Sequence, residues 1–253
     1  MRGSHVAADM CRGVVPDGTM PGMRIGVIER VLIVMVAVMI VVNGALALWR
    51  KQPSGSTSHD YVEPTLRHAQ VTTALWVGDS YTAGAAGVVQ SGTYASLACA
   101  DLGWICKFDA QGGTGYVADG HVNSSSYSSY QGRLASIRER FATDYVIVTG
   151  GRNDANLPGV GQAVDRYYRD LRVAFPKAKI IALEPFWNNQ RPPAQIVAVR
   201  RAVVTAAKKY GVRVINTGGW INPSLITEDK VHPSAAGHQA IAAKFVSEMQ
   251  GAS

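Results

Sequence analysis

The stretch ALWVGDSY at residues 74–81 joins a run of four apolar residues to a turn of small and polar ones. The apolar run predicts a short buried strand, and Gly78 permits the close turn that follows it. Open α/β sheets bind their ligands in a crevice at the carboxyl ends of the strands. We therefore predict that Ser80 points its hydroxyl into such a crevice.

The chain around and beyond this strand alternates short apolar runs with amphipathic segments. The predicted strands are residues 74–77, 104–108, 145–149, 180–183 and 213–215, and the predicted helices are residues 93–102, 132–141, 161–175, 193–210 and 234–249. This alternation is typical of βαβ units, and strand runs such as YVIVT and KIIAL are apolar enough to be covered on both faces. We predict a three-layer α/β/α sandwich with a five-stranded, mostly parallel, flavodoxin-like sheet over residues 66–253.

A long apolar segment, VLIVMVAVMIVVNGALAL at residues 31–48, precedes this domain. As a helix it would be about 27 Å long, close to the roughly 30 Å hydrocarbon core of a bilayer. One interpretation is a transmembrane signal-anchor at residues 31–49. The other is a signal peptide that is cleaved near Ala45-Leu46-Ala47. Both interpretations place the large domain outside the cytoplasm, either anchored in the membrane or secreted.

Two further segments complete the predicted organisation. Residues 1–30 are predicted to be a cytoplasmic segment, in which Met23 is an alternative start. The run KQPSGSTSHD at residues 51–60 is rich in Pro, Gly and Ser and predicts a flexible linker over residues 50–65.

The composition excludes several function classes. The net charge is +7, but the basic residues form no dense cluster, which argues against nucleic-acid recognition. The spacing of the three cysteines matches no zinc pattern, and GGTG at residues 112–115 lacks the lysine of a phosphate-binding loop. We therefore expect no metal and no cofactor. Cys99 and Cys106 are predicted either to form a short-loop disulfide or to be two buried free thiols.

Four short motifs carry polar or flexible residues at the predicted edge of the sheet. They are GDS at residues 78–80, GGTG at residues 112–115, GGRND at residues 150–154 and DKVH at residues 229–232. The first three follow predicted strands, and the fourth precedes the last helix. Because the carboxyl ends of parallel strands meet at one edge, we expect the four motifs to converge.

In this order and setting, the motifs resemble those of the SGNH branch of the GDSL hydrolases, over about residues 70–250. The resemblance implies a serine hydrolase in which Ser80 is the nucleophile and His232 is the base. It also implies that Gly113 and Asn153 help to form the oxyanion hole. Gly112 and Gly115 are alternatives for the glycine, and Tyr81 stands where the family name has leucine.

The chemistry of the residues leads to the same roles. A serine hydroxyl is a weak nucleophile until a neighbouring base removes its proton, and an imidazole suits that task. Asp229, three residues before His232, is placed to hold the imidazole in one tautomer. The backbone N–H groups of Ser80 and Gly113 and the Asn153 amide would then stabilise the oxyanion.

Other polar residues are given structural roles. Arg152 and Asp154 are predicted to brace the Asn153 loop, and Asp79 to hydrogen-bond neighbouring loops. The remaining histidines are predicted to be surface or packing residues: His5, His59, His68, His121 and His238. The polar loop HVNSSSYSSY at residues 121–130 is either a solvated excursion or a substrate rim. The segment WNNQ at residues 187–190 is either an acyl or sugar subsite or ordinary packing.

The sequence thus predicts a serine ester hydrolase that removes small acyl groups, above all acetyl, from a glycan or an envelope lipid. Its expected partners are the ester substrate and the membrane, through residues 31–49, and no nucleic acid. Two alternatives remain open. The first is an acyltransferase that uses the same serine, and the second is a carbohydrate-binding envelope protein without catalysis.

Overall fold

The computed structural model describes residues 25–49, 71–188 and 191–251. The chain divides into two compact units, Met1–Thr65 and Leu66–Ser253. The predicted linker at residues 50–65, most of the predicted cytoplasmic segment, and His5, His59 and His68 lie outside the described residues. The division of the first unit into cytoplasmic, membrane and linker parts stays a prediction.

Strands and helices alternate along the second unit, as the sequence predicts. The strands are β1 (Thr73–Gly78), β2 (Ile105–Ala110), β3 (Tyr145–Val148), β4 (Lys179–Leu183) and β5 (Arg213–Ile215). The helices are α1 (Ile25–Trp49) in the first unit, then α2 (Ser80–Ala83), α3 (Tyr94–Leu102), α4 (Tyr130–Arg140), α5 (Val160–Ala174), α6 (Ala194–Lys209) and α7 (Ala235–Gln250). The short helix α2 was not predicted, because a single turn carries no periodic pattern.

The five strands form one sheet in the order β2-β1-β3-β4-β5. Neighbouring strands pair in parallel throughout, which confirms the predicted α/β fold with a parallel sheet. β2 lies on one side of β1, whereas β3, β4 and β5 follow on the other side. The direction in which strands are added therefore reverses between β1 and β3. Such a switch point opens a crevice at the carboxyl ends of the two strands. Ser80 follows β1, and Asn153 follows β3.

Hydrophobic side chains cover both faces of the sheet. On one face, α4, α5 and α6 pack with β1, β3 and β4 around a group of buried tyrosines: Tyr116, Tyr130, Tyr167 and Tyr168. On the other face, α3 and α7 pack around Trp76, which contacts the rings of Tyr94 and Phe245. Burial of two faces accounts for the continuous apolar character of the central strands.

Cys99 and Cys106 form a disulfide between α3 and β2. The indole N–H of Trp76 also donates a hydrogen bond to the Cys99 sulfur, at 3.1 Å. Of the two alternatives left open by the sequence, the structure therefore has the disulfide.

Helix α1 covers the apolar run at residues 31–48. Among the residues that the structure describes, no helix is found that is long and apolar enough to cross a membrane. The membrane crossing at residues 31–49 is thus not supported by the structure and stays a prediction.

His238 of α7 is a buried packing residue, as the sequence predicts. Its Nδ1 accepts a hydrogen bond from the backbone N–H of Tyr94 at 3.1 Å, and the two rings are stacked. Burial, with a smaller contribution from the charge of His232, lowers the pKa of His238 to about 4 from its ordinary 6.5. Below pH 6.5 the unfolded chain therefore binds a proton that the folded chain does not bind until about pH 4.

We expect the neutral His238 to stabilise the fold fully above pH 6.5 and to lose this contribution as the pH falls towards 4. His238→Asn keeps a hydrogen-bond acceptor but does not titrate. As the pH falls from 6.5 to 4, the unfolding free energy of the wild type should therefore drop by about 3 kcal/mol more than that of the variant. Urea unfolding between pH 4 and 7.5 measures the difference. His121→Asn, at an exposed position, is the control, and parallel curves for His238→Asn and the wild type would contradict the prediction.

Candidate active site

Ser80 begins helix α2 directly after the β1 strand. Asp79 caps this helix, because its Oδ1 accepts a hydrogen bond from the backbone N–H of Tyr81 at 3.0 Å. Gly78 leaves no room for a side chain, since an added Cβ would lie 2.2 Å from the Thr82 Oγ1. The turn therefore places the half-buried Ser80 side chain at the end of the strand, as the sequence predicts.

A line of hydrogen bonds joins Ser80 to the loop before α7. The Ser80 Oγ lies 2.9 Å from the His232 Nε2, and the His232 Nδ1 lies 2.6 Å from the Asp229 Oδ2. An imidazole in this position can take the hydroxyl proton on one nitrogen while the carboxylate holds the other N–H. The structure thus brings together the three residues that the sequence singles out as nucleophile, base and orienting acid.

Asp229 is held in place by its own loop. Its Oδ1 accepts hydrogen bonds from the backbone N–H groups of Val231 and His232, at 2.8 and 2.9 Å, and from the Thr227 hydroxyl at 2.7 Å. Partial burial acts to raise the pKa of Asp229, but the hydrogen bonds from His232, Thr227 and Val231 outweigh it and hold the pKa well below its usual range. Asp229 is therefore a carboxylate at neutral pH.

The loop that carries His232 is fixed to the rest of the domain at two points. The Tyr81 hydroxyl donates a hydrogen bond to the Val231 carbonyl oxygen, and Ile226 pairs with Pro233 in an isolated antiparallel bridge. Tyr81 thus links the Ser80 turn to the His232 loop, a role that leucine could not fill at this position.

The glycine loop, GGTG at residues 112–115, lies beside Ser80. A Cβ added to Gly112 would lie 3.8 Å from the Ser80 Cβ, so the backbone of this loop approaches the serine closely. Gly113 has a φ of 76°, in the left-handed region that favours glycine. The Gly115 N–H already donates to the Ala118 carbonyl oxygen, at 2.9 Å, which argues against Gly115 as an oxyanion donor. Gly113 and Gly112 remain the candidates.

Asn153 is tied to the same loop. One N–H of its side-chain amide donates to the Thr114 carbonyl oxygen at 2.9 Å, which leaves the second N–H for another acceptor. Asp154, the next residue, accepts hydrogen bonds from the backbone N–H groups of Tyr116, Val117 and Ala118. Asp154 therefore braces the loop, as predicted, whereas Arg152 lies over the ring of Trp187, 4.2 Å from its centroid.

Arg133 is a buried residue of α4 that connects the loops around the site, and no role was predicted for it from the sequence. Its Nη2 donates to the carbonyl oxygens of Gly78 and Asp109, its Nη1 to the Ser128 carbonyl oxygen and the Thr114 hydroxyl, and its Nε pairs with the Asp109 carboxylate at 2.5 Å. The available signal was its position on the apolar stripe of the helix, between Tyr130 and Ile137.

Two cavities differ in their distance from this chemistry. A cavity of about 760 Å³ lies at the amino ends of β1, β3 and β4, next to Thr73, Asp144 and Lys179, and so at the opposite edge of the sheet from Ser80. A cavity of about 430 Å³ is lined by Trp187 and Asn188, and the Asn188 amide donates to the Lys230 carbonyl oxygen in the His232 loop at 3.1 Å. Because of this contact, the smaller cavity is the one next to the site.

Asp79 is buried immediately before Ser80. Burial raises the pKa of Asp79 to about 6 from its ordinary 3.8, although the hydrogen bond from the Tyr81 N–H and the charge of His232 lower it. Between pH 3.8 and 6 the folded chain therefore keeps a proton that the unfolded chain has released. The contribution of Asp79 to stability falls as the pH rises through this window, opposite in sign to that of His238.

We expect the stability of Asp79→Asn, measured relative to the wild type, to be higher at pH 7 than at pH 4. The amide keeps an oxygen for the Tyr81 N–H and carries no charge, so the stability difference between variant and wild type should shift by about 3 kcal/mol in favour of the variant between pH 4 and 7. Urea unfolding at the two pH values measures the shift. Asp101→Asn, at an exposed position of α3, is the control. A difference that is the same at both pH values would contradict the prediction.

Comparisons with known proteins agree with the fold and the motifs. The model of the GDSL-like lipase/acylhydrolase family matches residues 76–240, which include the four motifs. No curated protein matches the chain.

Solved structures similar to the chain include several esterases. Est24, a carbohydrate acetylesterase from Sinorhizobium meliloti, has 14% identity and a TM-score of 0.58, over 72% of this chain and 100% of that one. A carbohydrate esterase family 2 enzyme from Corynascus thermopiles (Myceliophthora fergusii) has 20% identity and a TM-score of 0.57, over 72% and 66%. The esterase EstA from Pseudoalteromonas sp. has 16% identity and a TM-score of 0.56, over 71% and 97%. At these identities the likeness establishes a shared fold.

Proposed function

Because the chain belongs to the GDSL-like lipase/acylhydrolase family, and is thus a serine esterase or acylhydrolase, we propose that Ser80, His232 and Asp229 are its catalytic residues. We propose further that it removes small acyl groups, in particular acetyl, from hydroxyls of a glycan. The observation that carries the assignment of the residues is the line of hydrogen bonds from the Ser80 Oγ through the His232 ring to Asp229.

In the first half of the proposed reaction, the Ser80 Oγ attacks the ester carbonyl carbon while the His232 Nε2 takes the hydroxyl proton. The carbonyl oxygen becomes negative in the tetrahedral intermediate. The backbone N–H groups of Ser80 and Gly113 and the free N–H of the Asn153 amide then stabilise it. The bond to the alcohol breaks, His232 gives its proton to the leaving oxygen, and the acyl group stays on Ser80 as an ester.

The second half repeats these steps with water. The water attacks the carbonyl carbon of the acyl-Ser80 ester while His232 takes a proton from it. When the bond between the acyl carbon and the Ser80 Oγ breaks, His232 returns the proton to the Ser80 Oγ. Asp229 remains ionised throughout and stabilises the imidazolium that forms twice in each cycle. The low pKa of Asp229 suits this role, because the carboxylate does not take the proton from the imidazole.

Two features support a short acyl group on a polar alcohol. The glycine loop approaches the Ser80 Cβ closely at Gly112, which restricts the space beside the serine. The side chains around the site are polar: the Asn123 amide donates to the Gly112 carbonyl oxygen at 2.8 Å, and Asn188 borders the neighbouring cavity. The carbohydrate esterases among the similar structures are consistent with such a substrate.

Hydrolysis of p-nitrophenyl esters from acetyl to dodecanoyl, followed by acetylated glycans, tests this proposal. We expect kcat/KM to be at least about tenfold higher for acetyl than for octanoyl, because the restricted space excludes the longer chain. Acetate release from an acetylated glycan would then identify the alcohol. A rise in kcat/KM with chain length would indicate a lipase and contradict the acetyl assignment.

We also propose that the second unit acts outside the cytoplasm. The Cys99–Cys106 disulfide supports this location, since disulfides persist mainly in oxidising compartments, and so does the apolar segment at residues 31–48. Protease added to intact cells should degrade the second unit without lysis. Degradation only after lysis would contradict the proposal.

A further inference from the structure

Arg152 and Trp187 form a pair beside the active site that the mechanism does not use. Arg152 lies between Gly151 and Asn153 after β3, and its guanidinium carbon is 4.2 Å from the centroid of the Trp187 ring. The Arg152 Nη1 and the Trp187 Nε1 are both buried, and neither has a hydrogen-bond partner. Two unpaired donors in one contact indicate that an acceptor belongs there.

Arg152 also lacks an ion-pair partner among the described residues. The nearest candidate on its own segment, Asp154, is occupied by three backbone N–H groups. An unpaired, partly buried guanidinium costs free energy, which a bound anion would recover.

The charge of Arg152 acts at the catalytic serine. It lowers the pKa of Asp79 and of Tyr81, the two residues on either side of Ser80, although burial dominates in both and raises the pKa. Arg152 also directly precedes Asn153, whose amide is hydrogen-bonded to the glycine loop beside Ser80. This position brings Arg152 near enough to the site to contact a group on the same substrate molecule.

Trp187 connects the pair to the neighbouring cavity, although Arg152 itself does not line it. Trp187 lines the 430 Å³ cavity together with Asn188 and a second arginine, Arg200. The Asn188 amide is hydrogen-bonded to the loop that carries His232. In the proposed mechanism, His232 delivers the proton to the leaving alcohol. This mechanism therefore places the alcohol part of the ester towards this cavity, and the acyl part towards the glycine loop.

We propose that Arg152 and Trp187 form a subsite for a carboxylate carried by the alcohol part of the ester, so that the substrate is an acylated acidic glycan. This inference rests on the proposed esterase function and adds its substrate class. The single positive charge of Arg152 is matched by a monoanion. The planar guanidinium donates two parallel hydrogen bonds to a carboxylate, and the indole N–H supplies a third.

The test uses acetyl esters that differ only in a carboxylate: 3- and 4-acetoxybenzoate and their methyl esters. The measured quantity is the ratio of kcat/KM for the acid to kcat/KM for its methyl ester, so that a general loss of activity cancels. We expect this ratio to fall by about 10- to 100-fold in Arg152→Gln. A smaller fall is expected in Trp187→Phe, which keeps the ring and removes the N–H. Arg201→Gln, at an exposed position of α6, should leave the ratio as in the wild type.

Two outcomes would overturn the proposal. An unchanged ratio in Arg152→Gln, with both probes slowed equally, would mean that Arg152 only positions the Asn153 loop. A fall of the same size in Arg201→Gln would mean that the overall charge of the domain attracts the acid.

Failure of the esterase function itself would be visible separately, because the wild type would then hydrolyse neither acid nor methyl ester. In that case, binding of galacturonate and of its methyl ester to Ser80→Ala is measured by calorimetry. Tighter binding of the acid that is lost in Arg152→Gln would support the subsite, and equal binding of the two sugars would overturn it.

Discussion

Replacing Ser80 by alanine is expected to lower kcat for p-nitrophenyl acetate by roughly 10⁵-fold or more, the size of effect known for nucleophile removal in serine hydrolases. The variant has no atom that can form the acyl-enzyme, and the imidazole of His232 loses its 2.9 Å hydrogen-bond partner. Because the half-buried Ser80 hydroxyl makes no other described hydrogen bond, the fold should be retained. Steady-state kinetics measure the loss, and a thermal unfolding curve checks the fold.

Ser126→Ala, in the exposed polar loop, is the matched control and should keep wild-type kinetics. Activity of Ser80→Ala within tenfold of the wild type would mean that another residue is the nucleophile. It would refute the assigned mechanism while leaving the family membership in place.

Replacing Arg133 by methionine is expected to lower the free energy of unfolding by about 3–5 kcal/mol. Its guanidinium is only 5% exposed and pairs with Asp109, which is 9% exposed. The variant leaves this carboxylate largely uncompensated, since the second cation near it, Arg140, is 3.7 Å away and exposed. It also removes donors from the carbonyl oxygens of Gly78, Asp109 and Ser128. Urea unfolding at pH 7 measures the change.

Arg138→Met on the same helix is the control, because Arg138 is exposed and its loss should cost less than about 1 kcal/mol. The double variant Arg133→Met/Asp109→Leu is expected to be more stable than Arg133→Met alone, because it removes the unpaired charge. If the double variant is less stable than the single one, the ion pair is not the reason for the loss.

The strands were predictable because each carries its own signal. Tyr145–Val148 and Lys179–Leu183 are short, β-branched and apolar, which is what burial on both faces of a parallel sheet requires. The convergence of Ser80, Asn153 and His232 was predictable for a related reason. Because the strands are parallel, the residues that follow them lie at one edge of the sheet. The loop that carries His232 follows β5 and therefore begins at the same edge.

What could not be predicted depends on contacts that leave no local pattern. The pairing of Arg133 with Asp109 joins a helix to a strand 24 residues away, and a single arginine in a sequence does not indicate its partner. Nor could the sequence choose between Gly113 and Gly115, because the engagement of the Gly115 N–H by Ala118 is a property of the loop backbone. The Cys99–Cys106 disulfide stayed open for the same reason, since a separation of seven residues allows either outcome.

The hydrogen bond between Ser80 and His232 joins residues 152 positions apart, so that the site spans most of the folded unit. While the chain is being synthesised, the serine emerges early and the histidine only after most of the folded unit. In the proposed mechanism, every intermediate length therefore carries a nucleophile with no base. The enzyme would then have no activity before its final helix docks, and a protein cut short anywhere before residue 232 would be inert and not merely weaker. Contacts of such long range also form slowly, so the appearance of activity should trail the formation of helices during refolding.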